Sequence, residues 1–491
     1  GSDFKKGETP QIFCDPDHPG FGDYMAIEDY MVEYAVQDVL VLWAGLQEFW
    51  ILIKEMGYHG KAYPLTIGTL GYQMIADSIQ KNKEAKPKIV KKIKNSWKYQ
   101  AVCSDPVADD IMRLALVGGR TQVFDTDPHH TRVVGIDARS MYPSAELGGD
   151  LEILGQSLER TWPDPTNLMR VKPGDLGEDF ADYEGAIHVR WKRPETDLLG
   201  AIADTNEDGL LDWTLFEGTR WITMCQYRYC RILGYDLEPI PYRHTIPGDP
   251  KTGQEDEEID LVAVLSPSLG YNPFQVVETW YNKRLEMREA GDPRQILVKL
   301  LMNAGSYGKW VERNQDQVIT TEEAFVHHFT DRWDFSPVAG QYGYATDQRF
   351  RRARNAANIL GAYITDYARM SLNEMGRSIG VENLLYTDTD SWKFLDPENQ
   401  IQIPQVLLGP DLGQWAIEQI MDFWESVAPK QYRYHAIEDD GIPCDKWKLK
   451  IKGCSVGRMS QEEIAEFDLR GSVSFERVIG IRESWRQGQA A

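Results

Sequence analysis

The chain has 491 residues, of which 42% are hydrophobic and 26% charged, a composition typical of a soluble globular protein with several subdomains. We find no unbroken apolar run long enough to cross a bilayer and no secretory signal, so we expect a cytoplasmic protein without a membrane partner. The six cysteines form no CxxC pair, which argues against a structural zinc site and favours free thiols.

The net charge of −23 argues, taken alone, against a nucleic-acid partner. Charges interact only over about 10 Å at moderate salt, however, so their local distribution matters more than their sum. Basic residues are concentrated in the stretches Lys81–Lys98, Arg349–Arg354 and Lys446–Lys452, and acidic residues in Glu255–Asp260. Each basic stretch by itself is more typical of a solvated face.

The first half of the chain predicts two helices followed by a strand. Residues 26–56 have apolar positions at helical spacing without proline, and residues 72–98 predict a second helix that ends in basic residues. The run VVGID at 133–137 is rich in β-branched residues and predicts a buried strand. Residues 197–213 are broken by turn formers and have the character of an inserted region.

The second half predicts alternating loops, helices and strands. Residues 244–270 are acidic and rich in proline and glycine, which predicts a loop, and residues 273–303 predict two helices broken at 291–293. Three more elements are predicted: a helix at 355–378, two strands joined by a tight turn at 383–395, and a helix at 411–428. This order of helices and strands indicates an α+β fold.

Two aspartates, Asp388 and Asp390, lie in the predicted tight turn of the segment YTDTDS. Carboxylates held this close repel each other, and a hard divalent cation relieves that repulsion. A third carboxylate, Asp137, ends the predicted strand VVGID, where the chain leaves the sheet. Each segment alone is equally typical of a solvated turn or of a strand end.

Lys299 and Asn303 lie one helical turn apart on one face of a predicted helix, and Tyr307 follows. Arg288 and Arg294 precede them in the same helical pair. A row of cations of this kind suits a triphosphate, although an amphipathic helix with a solvated basic face is the commoner explanation of such a stretch alone.

Together these segments resemble, in the right order, motifs A, B and C of family B DNA polymerases: DxxSLYPS, KxxxNSxYG and YxDTDS. The resemblance is closest to the protein-primed branch of phages and linear plasmids. Motif C matches at every specified position, and motif A differs by Met141 in place of leucine. Motif B has one extra residue between Asn303 and Tyr307, which a local π-bulge could absorb.

Further segments resemble motifs of the same branch. Lys430 and Tyr432 match the KxY motif that contacts the primer terminus, and Gly118 and Gly119 match the YxGG motif, with Leu116 in place of its tyrosine. Residues 221–235 resemble an insertion that contacts the terminal protein, and residues 313–350 occupy the place of a second insertion. Lys452, in the third basic stretch, is also expected to bind DNA.

Tyr34 and Asp38 match the third exonuclease motif, YxxxD, but nothing before them is long enough to hold the first two motifs. We interpret them as part of an interface helix and expect no proofreading by this chain. Either the chain is part of a longer protein or the exonuclease lies on a separate polypeptide.

The resemblance implies an α+β, right-hand polymerase fold with an antiparallel palm sheet, helical fingers and a small thumb. The expected regions are a residual exonuclease-side helical region (1–100), palm with motif A (101–147), a first terminal-protein-type insertion with palm (148–270), fingers with motif B (271–312), a second such insertion (313–352), palm with motif C and KxY (353–453) and thumb (454–491).

The implied activity is template-directed addition of dNTPs to a primer 3′-hydroxyl with two Mg²⁺ ions, for which Mn²⁺ can substitute. Asp137, Asp388, Asp390 and the Ala138 carbonyl would bind the metals. Six residues would bind the nucleotide, Tyr142 as the block to a 2′-hydroxyl and Tyr307 by stacking on the nascent base pair: Tyr142, Arg288, Arg294, Lys299, Asn303 and Tyr307.

The implied partners are a DNA primer–template, dNTPs, a terminal or priming protein and a separately encoded exonuclease, in the cytoplasm or, for a viral source, the host cytoplasm. Three alternatives stay open. The chain could start synthesis without a primer, it could be an inactive structural subunit with a polymerase shape, or it could copy RNA. The intact Asp137, Asp388 and Asp390 weigh against an inactive subunit.

Overall fold

The structure is a computed structural model of the chain. The residues it describes are 29–58, 60, 66–81, 90–92, 99–101, 105–206, 211–246, 255–305, 307–312, 317–320, 333–339, 342–347, 357–401, 403–452 and 459–471. The chain divides into two compact units. Unit I comprises residues 1–64 and 280–300, and unit II comprises residues 65–279 and 301–491.

The helices in the described part of the chain are α1 (Asp29–Glu55), α2 (Ile67–Lys81), α3 (Pro106–Leu114), α4 (Met141–Leu147), α5 (Met224–Ile232), α6 (Val276–Glu289), α7 (Gln295–Gly305), α8 (Tyr307–Trp310), α9 (Asn358–Ile379) and α10 (Gln461–Ala465).

The strands of the first half are β1 (Val90–Lys92), β2 (Tyr99–Ala101), β3 (Thr121–Val123), β4 (Val133–Ala138), β5 (Leu151–Ile153), β6 (Gln156–Leu158), β7 (Met169–Val171), β8 (Glu184–Lys192), β9 (Asp204–Thr205), β10 (Leu211–Asp212), β11 (Glu217–Thr223) and β12 (Asp236–Pro239). Those of the second half are β13 (Tyr242–Ile246), β14 (Glu257–Leu261), β15 (Ala263–Ser266), β16 (Gln317–Thr320), β17 (Trp333–Ala339), β18 (Tyr342–Asp347), β19 (Leu384–Asp388), β20 (Ser391–Leu395), β21 (Trp415–Ala428), β22 (Gln431–Asp439) and β23 (Ile442–Ile451).

Helix α1 of unit I confirms the helix predicted over residues 26–56. Leu52 and Ile53 are buried, whereas several large apolar side chains are exposed: Val36, Val39, Leu42, Trp43 and Ile51. By length and composition alone, Ala35–Glu55 could cross a membrane, with a mean hydropathy of 1.4. The expectation that no segment has this character is wrong, because isolated polar residues such as Asp38 lower the mean hydropathy too little.

The helical pair predicted within residues 273–303 is confirmed as α6 and α7. The break between them contains Gly291, whose φ of 67° suits glycine. The Asp292 carboxylate accepts a hydrogen bond from the backbone N–H of Arg294 at 2.9 Å, which stabilises the turn before α7.

The helix predicted over residues 72–98 is only partly correct. Helix α2 ends at Lys81, and β1 and β2 form an antiparallel pair beyond it. Pro87 and the β-branched Ile89 and Val90 disfavour a helix there. Most of the first basic stretch and all of Arg349–Arg354 lie outside the described residues.

A seven-stranded antiparallel sheet organises unit II, with the strand order β23-β22-β21-β4-β20-β19-β3. Strand β4 confirms the strand predicted at 133–137, and β19 and β20 confirm the predicted hairpin. Helix α9, predicted at 355–378, packs on this sheet, and the Trp392 indole N–H donates to the carbonyl of Leu372 at 2.9 Å. Gly376 leaves room for that indole, because a Cβ there would lie 2.6 Å from the ring.

Two element predictions in unit II are wrong. Residues 411–428 were expected to be helical, but residues 415–428 form strand β21, which joins β22 to β4. Residues 244–270 were expected to be a loop but contain most of β13 and all of β14 and β15. Strand β15 is fully buried between β8 and β7, which explains why its composition lacks an alternating pattern.

The remaining elements of unit II surround these layers. A second sheet has the order β11-β8-β15-β7, with β12 paired to β8. Within the predicted second insertion, β16, β18 and β17 form a three-stranded antiparallel sheet. Of the predicted thumb, residues 459–471 are described, and α10 packs on β23 through Ile464 and Leu449. The fold is therefore a mixed α+β fold with a large antiparallel sheet, as expected.

Candidate active site

The hairpin β19–β20 and strand β4 bring Asp137 and Asp388 to one edge of the seven-stranded sheet. Asp388 pairs with Ser391 across the hairpin, and Ser391 pairs with Asp137 on β4. Because directly paired residues of antiparallel strands point to the same face, Asp388 and Asp137 flank Ser391 on one face. The sequence placed these two carboxylates 251 positions apart, and the strand register brings them together.

The turn between the strands is held by backbone contacts from three directions. Thr389 has a φ of 63°, and its N–H donates to the carbonyl of Arg120 at 2.7 Å. The carbonyl of Asp390 accepts from the N–H of Ala138 at 2.7 Å. A left-handed conformation at a β-branched residue is unfavourable, so the surrounding contacts must maintain it.

Three groups donate to the Asp388 carboxylate. Its Oδ1 accepts from the hydroxyl of Thr121 at 3.0 Å and from that of Thr389 at 3.2 Å. The ammonium of Lys430 lies 3.3 Å from the same oxygen. Asp388 is therefore ionised and already paired with a cation from the predicted KxY motif.

The pKa of the Asp390 carboxyl is raised to about 6, first by burial and second by the negative charge of Asp388. Lys393 lies beneath this edge, where burial lowers its pKa and the charges of Glu418, Asp137 and Asp390 partly oppose that effect. Its ammonium donates to the side-chain oxygen of Gln419 at 3.0 Å. The edge therefore concentrates carboxylates in a partly desolvated place, where a cation would be stabilised.

No group of three or more His, Cys, Asp and Glu side chains among the described residues is arranged so that it could hold a metal ion. The donor chemistry nevertheless suits a hard cation, because Asp137, Asp388 and Asp390 offer carboxylate oxygens at one sheet edge. In this conformation Asp388 is paired with Lys430 instead. Metal binding would therefore require these side chains to rearrange.

Motif A and motif B meet through two tyrosines. The ring of Tyr142, in the first turn of α4, lies 4.6 Å from that of Tyr307, the first residue of α8. Burial, followed by the neighbouring Tyr307, raises the pKa of Tyr142 far above its usual range. Ser306, at the position of the extra residue and its expected π-bulge, lies outside the described residues.

The loop before α4 is held by the segment that leads into β21. Ser140 has a φ of 55°, and the N–H of Arg139 donates to the carbonyl of Gln414 at 2.9 Å. The guanidinium of Arg139 donates to the carbonyl of Gly409 at 2.9 Å. These contacts fix the direction in which the chain leaves Asp137.

The predicted KxY motif joins the same edge. Lys430 has a φ of 62°, and its backbone N–H donates to the hydroxyl of Tyr386 at 3.1 Å. The ring of Tyr432 lies 5.2 Å from that of Tyr386 and stacks on Trp424 at 5.1 Å. The motif is therefore anchored to motif C through its backbone as well as through the Lys430 ammonium.

The two glycines of the predicted YxGG motif lie beside the motif C turn. A Cβ on Gly119 would approach the side chain of Thr389 to 2.7 Å, whereas a Cβ on Gly118 would meet nothing within 4 Å. Gly119 thus permits close contact with the turn, and Gly118 is exposed. Lys452 directly follows β23 and is also exposed.

The other predicted nucleotide-binding residues lie on α6, on α7 and in the turn between them. Arg288 and Lys299 are exposed, and Arg294 pairs with Asp292 at 2.7 Å and with Glu48 at 3.4 Å, all within unit I. Asn303 belongs to unit II and is exposed one turn beyond Lys299, as the predicted spacing requires.

Sequence reasoning missed four residues that support this edge: Arg120, Thr121, Arg369 and Lys393. Thr121 donates to Asp388, and the guanidinium of Arg369 donates to the carbonyl of Gly118 at 2.9 Å. Arg120 and Arg369 are almost completely buried. A buried cation has no distinct sequence pattern, although an arginine directly after Gly118-Gly119 was a signal that could have been followed.

No family model and no curated protein matches the chain. Among solved structures, it is similar to phi29 DNA polymerase complexed with primer-template DNA and incoming nucleotide substrates, with a TM-score of 0.59, 16% identity, and coverage of 89% of this chain and 68% of that chain. The post-translocation binary complex of the same polymerase with primer-template DNA gives 0.56, 16%, 90% and 67%. The complex with single-stranded DNA gives 0.55, 15%, 82% and 63%.

The chain thus spans about two thirds of the length of these structures, between 63% and 68%. The low identity means that the likeness concerns the backbone arrangement. Over the aligned region, the chain has the fold of phi29 DNA polymerase.

Proposed function

We propose that the chain is a DNA-directed DNA polymerase of family B, from the protein-primed branch, which extends a primer 3′-hydroxyl with dNTPs. The proposal includes a right-hand layout, with palm, fingers, insertions and thumb at the boundaries expected from the sequence. The observation that carries it is the strand register that places Asp137 and Asp388 on either side of Ser391 at one sheet edge. The phi29-like fold supports it independently.

In this proposal Asp137, Asp388 and Asp390, with the carbonyl of Ala138, hold two Mg²⁺ ions, for which Mn²⁺ can substitute. Bound Mg²⁺ would activate the primer 3′-hydroxyl and neutralise charge on the departing pyrophosphate. Lys430 keeps Asp388 ionised in the present conformation and would move to the primer backbone when Asp388 binds metal. The raised pKa of Asp390 supports this role, since a cation would relieve the charge repulsion that contributes to it.

The nucleotide would contact two groups of residues. Tyr142 would exclude a 2′-hydroxyl, and Tyr307, whose ring contacts it at 4.6 Å, would stack on the nascent base pair. Arg288, Arg294 and Lys299 would bind the triphosphate as cations, with Asn303 one turn beyond Lys299.

The DNA-binding part of the proposal rests on lysines that continue away from the site. Lys446, Lys448 and Lys450 alternate along β23, and Lys450 pairs with Tyr432 while Lys448 pairs with Tyr434 on β22. Residues two apart on a strand point to the same face about 6.8 Å apart, a spacing suited to successive phosphates. With Lys430 and Lys452, these lysines would bind the phosphate backbone of a primer–template.

Several features of initiation remain alternatives within the proposal. A terminal or priming protein would be a partner if priming is by protein, and residues 221–235 are its expected contact. Incubation with bare template and dNTPs distinguishes primer-independent synthesis, and exchange of DNA for RNA template tests template type.

The decisive experiment is primer extension by the Asp388→Asn variant. We expect a loss of more than about 100-fold, because even changes behind metal ligands cost roughly 10- to 100-fold in metal affinity or activity. The folded state should be retained, since an asparagine at this position would keep the shape of the side chain and only its pairing with Lys430 is weakened. The exposed Asp422 on β21 provides the control, because Asp422→Asn should extend primers normally. An Asp388→Asn variant with normal extension would remove motif C from the active site.

We propose further that this chain does not proofread and that a separately encoded exonuclease subunit does so. Labelled single-stranded DNA with Mg²⁺ and no dNTPs measures 3′ trimming, which we expect to be absent. Steady trimming that Asp38→Ala abolishes would contradict this part of the proposal.

A further inference from the structure

Unit II contains a buried cation that the proposed chemistry does not use. Arg369 on α9 is only 3% exposed. Burial, followed by repulsion from Arg220, lowers its pKa to about 9, which still leaves the guanidinium protonated at neutral pH. Burying a charge is costly unless it is paired and hydrogen-bonded, so the partners of Arg369 indicate what maintains it.

Arg369 is held in place from one side by a carboxylate and a ring. Its guanidinium pairs with the Asp366 carboxylate one turn earlier on α9, and Asp366 in turn accepts a hydrogen bond from the hydroxyl of Thr223. The guanidinium also lies 5.9 Å from the centre of the Trp213 ring. The orientation of the side chain is therefore determined by groups on α9, β11 and the segment after β10.

On its other side Arg369 donates to two successive carbonyls, those of Val117 and Gly118. No peptide bond in the described residues is cis. In a trans peptide the N–H points away from the C=O of the same unit. Because both carbonyls point inward to Arg369, the N–H groups of Gly118 and Gly119 point outward.

These two N–H groups lie at the candidate active site. Among the described residues neither has a hydrogen-bond partner. Gly118 is exposed, with nothing within 4 Å of where a Cβ would be, and Gly119 touches Thr389 of the motif C turn. Successive outward amides without side chains form an anion-binding surface that a phosphate can approach closely.

We propose that Arg369 is a positioning residue: it holds the carbonyls of Val117 and Gly118 inward so that the amides of Gly118 and Gly119 bind one backbone phosphate of the nucleic acid. The inference rests on the proposed function, since it requires nucleic acid at this edge. Arg369 itself contacts no substrate and acts through the two glycines.

The test uses primer–template DNA in which single phosphates are replaced, one at a time, by uncharged methylphosphonates. Affinity is measured by fluorescence anisotropy without dNTPs. In the wild type we expect one position near the primer terminus to weaken binding about tenfold, as expected for loss of charge-assisted hydrogen bonds. In Arg369→Met we expect weaker binding of unmodified DNA and no further penalty at that position. The KM for DNA should rise while kcat at saturating DNA changes little.

Two further variants keep the test valid if Arg369→Met folds poorly. Arg369→Met/Asp366→Leu removes the ion pair without leaving a buried unpaired carboxylate, and Arg369→Lys keeps the charge but not the forked donors. Arg377→Met is the matched control, because Arg377 is also on α9 and pairs with Asp197 at 2.6 Å. It should lower stability and leave the methylphosphonate pattern unchanged.

A folded Arg369 variant with the wild-type methylphosphonate pattern would overturn the inference. So would a wild-type protein that extends primers but shows no position-specific penalty, and that result would leave the proposed function intact. A wild-type protein that neither binds primer–template nor extends it would overturn both.

Discussion

Tyr142 and Tyr307 come from segments 165 positions apart and meet with ring centroids 4.6 Å apart. Tyr142 lies in the first turn of α4, directly after the loop that follows Asp137. A bulky side chain at this point is suited to excluding a substituent from the sugar of a bound nucleotide. The contact with Tyr307 limits the freedom of its ring.

We therefore expect Tyr142→Ala to raise ribonucleotide incorporation relative to deoxyribonucleotide by at least about tenfold, a change of about 1.4 kcal/mol in discrimination. Tyr142→Phe is the matched control, since it keeps the ring and removes only the hydroxyl, and it should retain the wild-type preference. The ratio of kcat/KM for dNTP and rNTP measures the effect. An unchanged ratio in Tyr142→Ala would count against the steric role.

Gly118 and Gly119 provide a second residue-scale prediction, because their surroundings differ. Gly119→Ala would push its Cβ against Thr389 at 2.7 Å, and Thr389 is already held at a φ of 63°. We expect this variant to displace the motif C turn and to lower kcat about tenfold or more. Gly118→Ala, which meets nothing within 4 Å, should keep kcat close to wild type. Equal kcat values for the two variants would contradict this account.

At the scale of elements, strand β23 places alternating lysines on the face that carries Tyr432 and Tyr434. Lys446 and Lys450 are exposed, whereas Lys448 pairs with Asp439 at 3.0 Å. The exposed pair is therefore more available to phosphates than Lys448.

For duplex primer–template, each lysine that neutralises a phosphate contributes about 0.9 to the slope of log K against log salt. We expect Lys446→Ala and Lys450→Ala each to reduce the slope by about that amount, and to weaken binding alike for all sequences. Lys192→Ala, an exposed lysine on β8 in the other sheet, should leave the slope unchanged. Salt titrations of DNA affinity measure the slopes, and identical slopes in all variants would exclude β23 from the interface.

Strand β21 shows why one element could not be predicted from its sequence. Ile417, Ile420, Met421 and Trp424 follow the i, i+3, i+4, i+7 spacing of an amphipathic helix. The structure has register shifts between Ile417 and Gln419 and between Ile420 and Met421. Each bulge adds a residue, so the period of two is lost even though the segment is a strand. The hairpin β19–β20 has no shift next to its turn, and it was predicted correctly.

At the scale of the whole molecule, the charge of −23 coexists with cations at the proposed DNA-binding surface. Lys430, Lys450 and Lys452 act over short distances that screening by salt permits, while the acidic remainder keeps the protein soluble. Net charge is therefore a poor guide to the partner of this protein.

Helix α1 of unit I exposes more large apolar side chains than a solvated surface usually tolerates. We expect the isolated chain to self-associate through α1 unless a partner, such as the proposed exonuclease subunit, covers it. Leu42→Glu and Trp43→Glu should shift the protein toward monomer without loss of primer extension. Val406→Glu is the control, since Val406 is 78% exposed and lies outside α1. Size-exclusion chromatography with light scattering gives the mass, and a monomeric wild type at all concentrations would contradict this expectation.

The sequence alone identified the groups that carry chemistry: the motif segments with Asp137, Asp388 and Asp390, the hairpin between the last two, and most long helices. These features depend on spacing within short stretches, which is legible without a structure. Only the tertiary structure showed that Lys430 pairs with Asp388, that Tyr142 meets Tyr307 and that Arg369 holds the carbonyls of Val117 and Gly118. These contacts join distant segments through strand register and helix packing, and the pattern of neighbouring residues does not determine either.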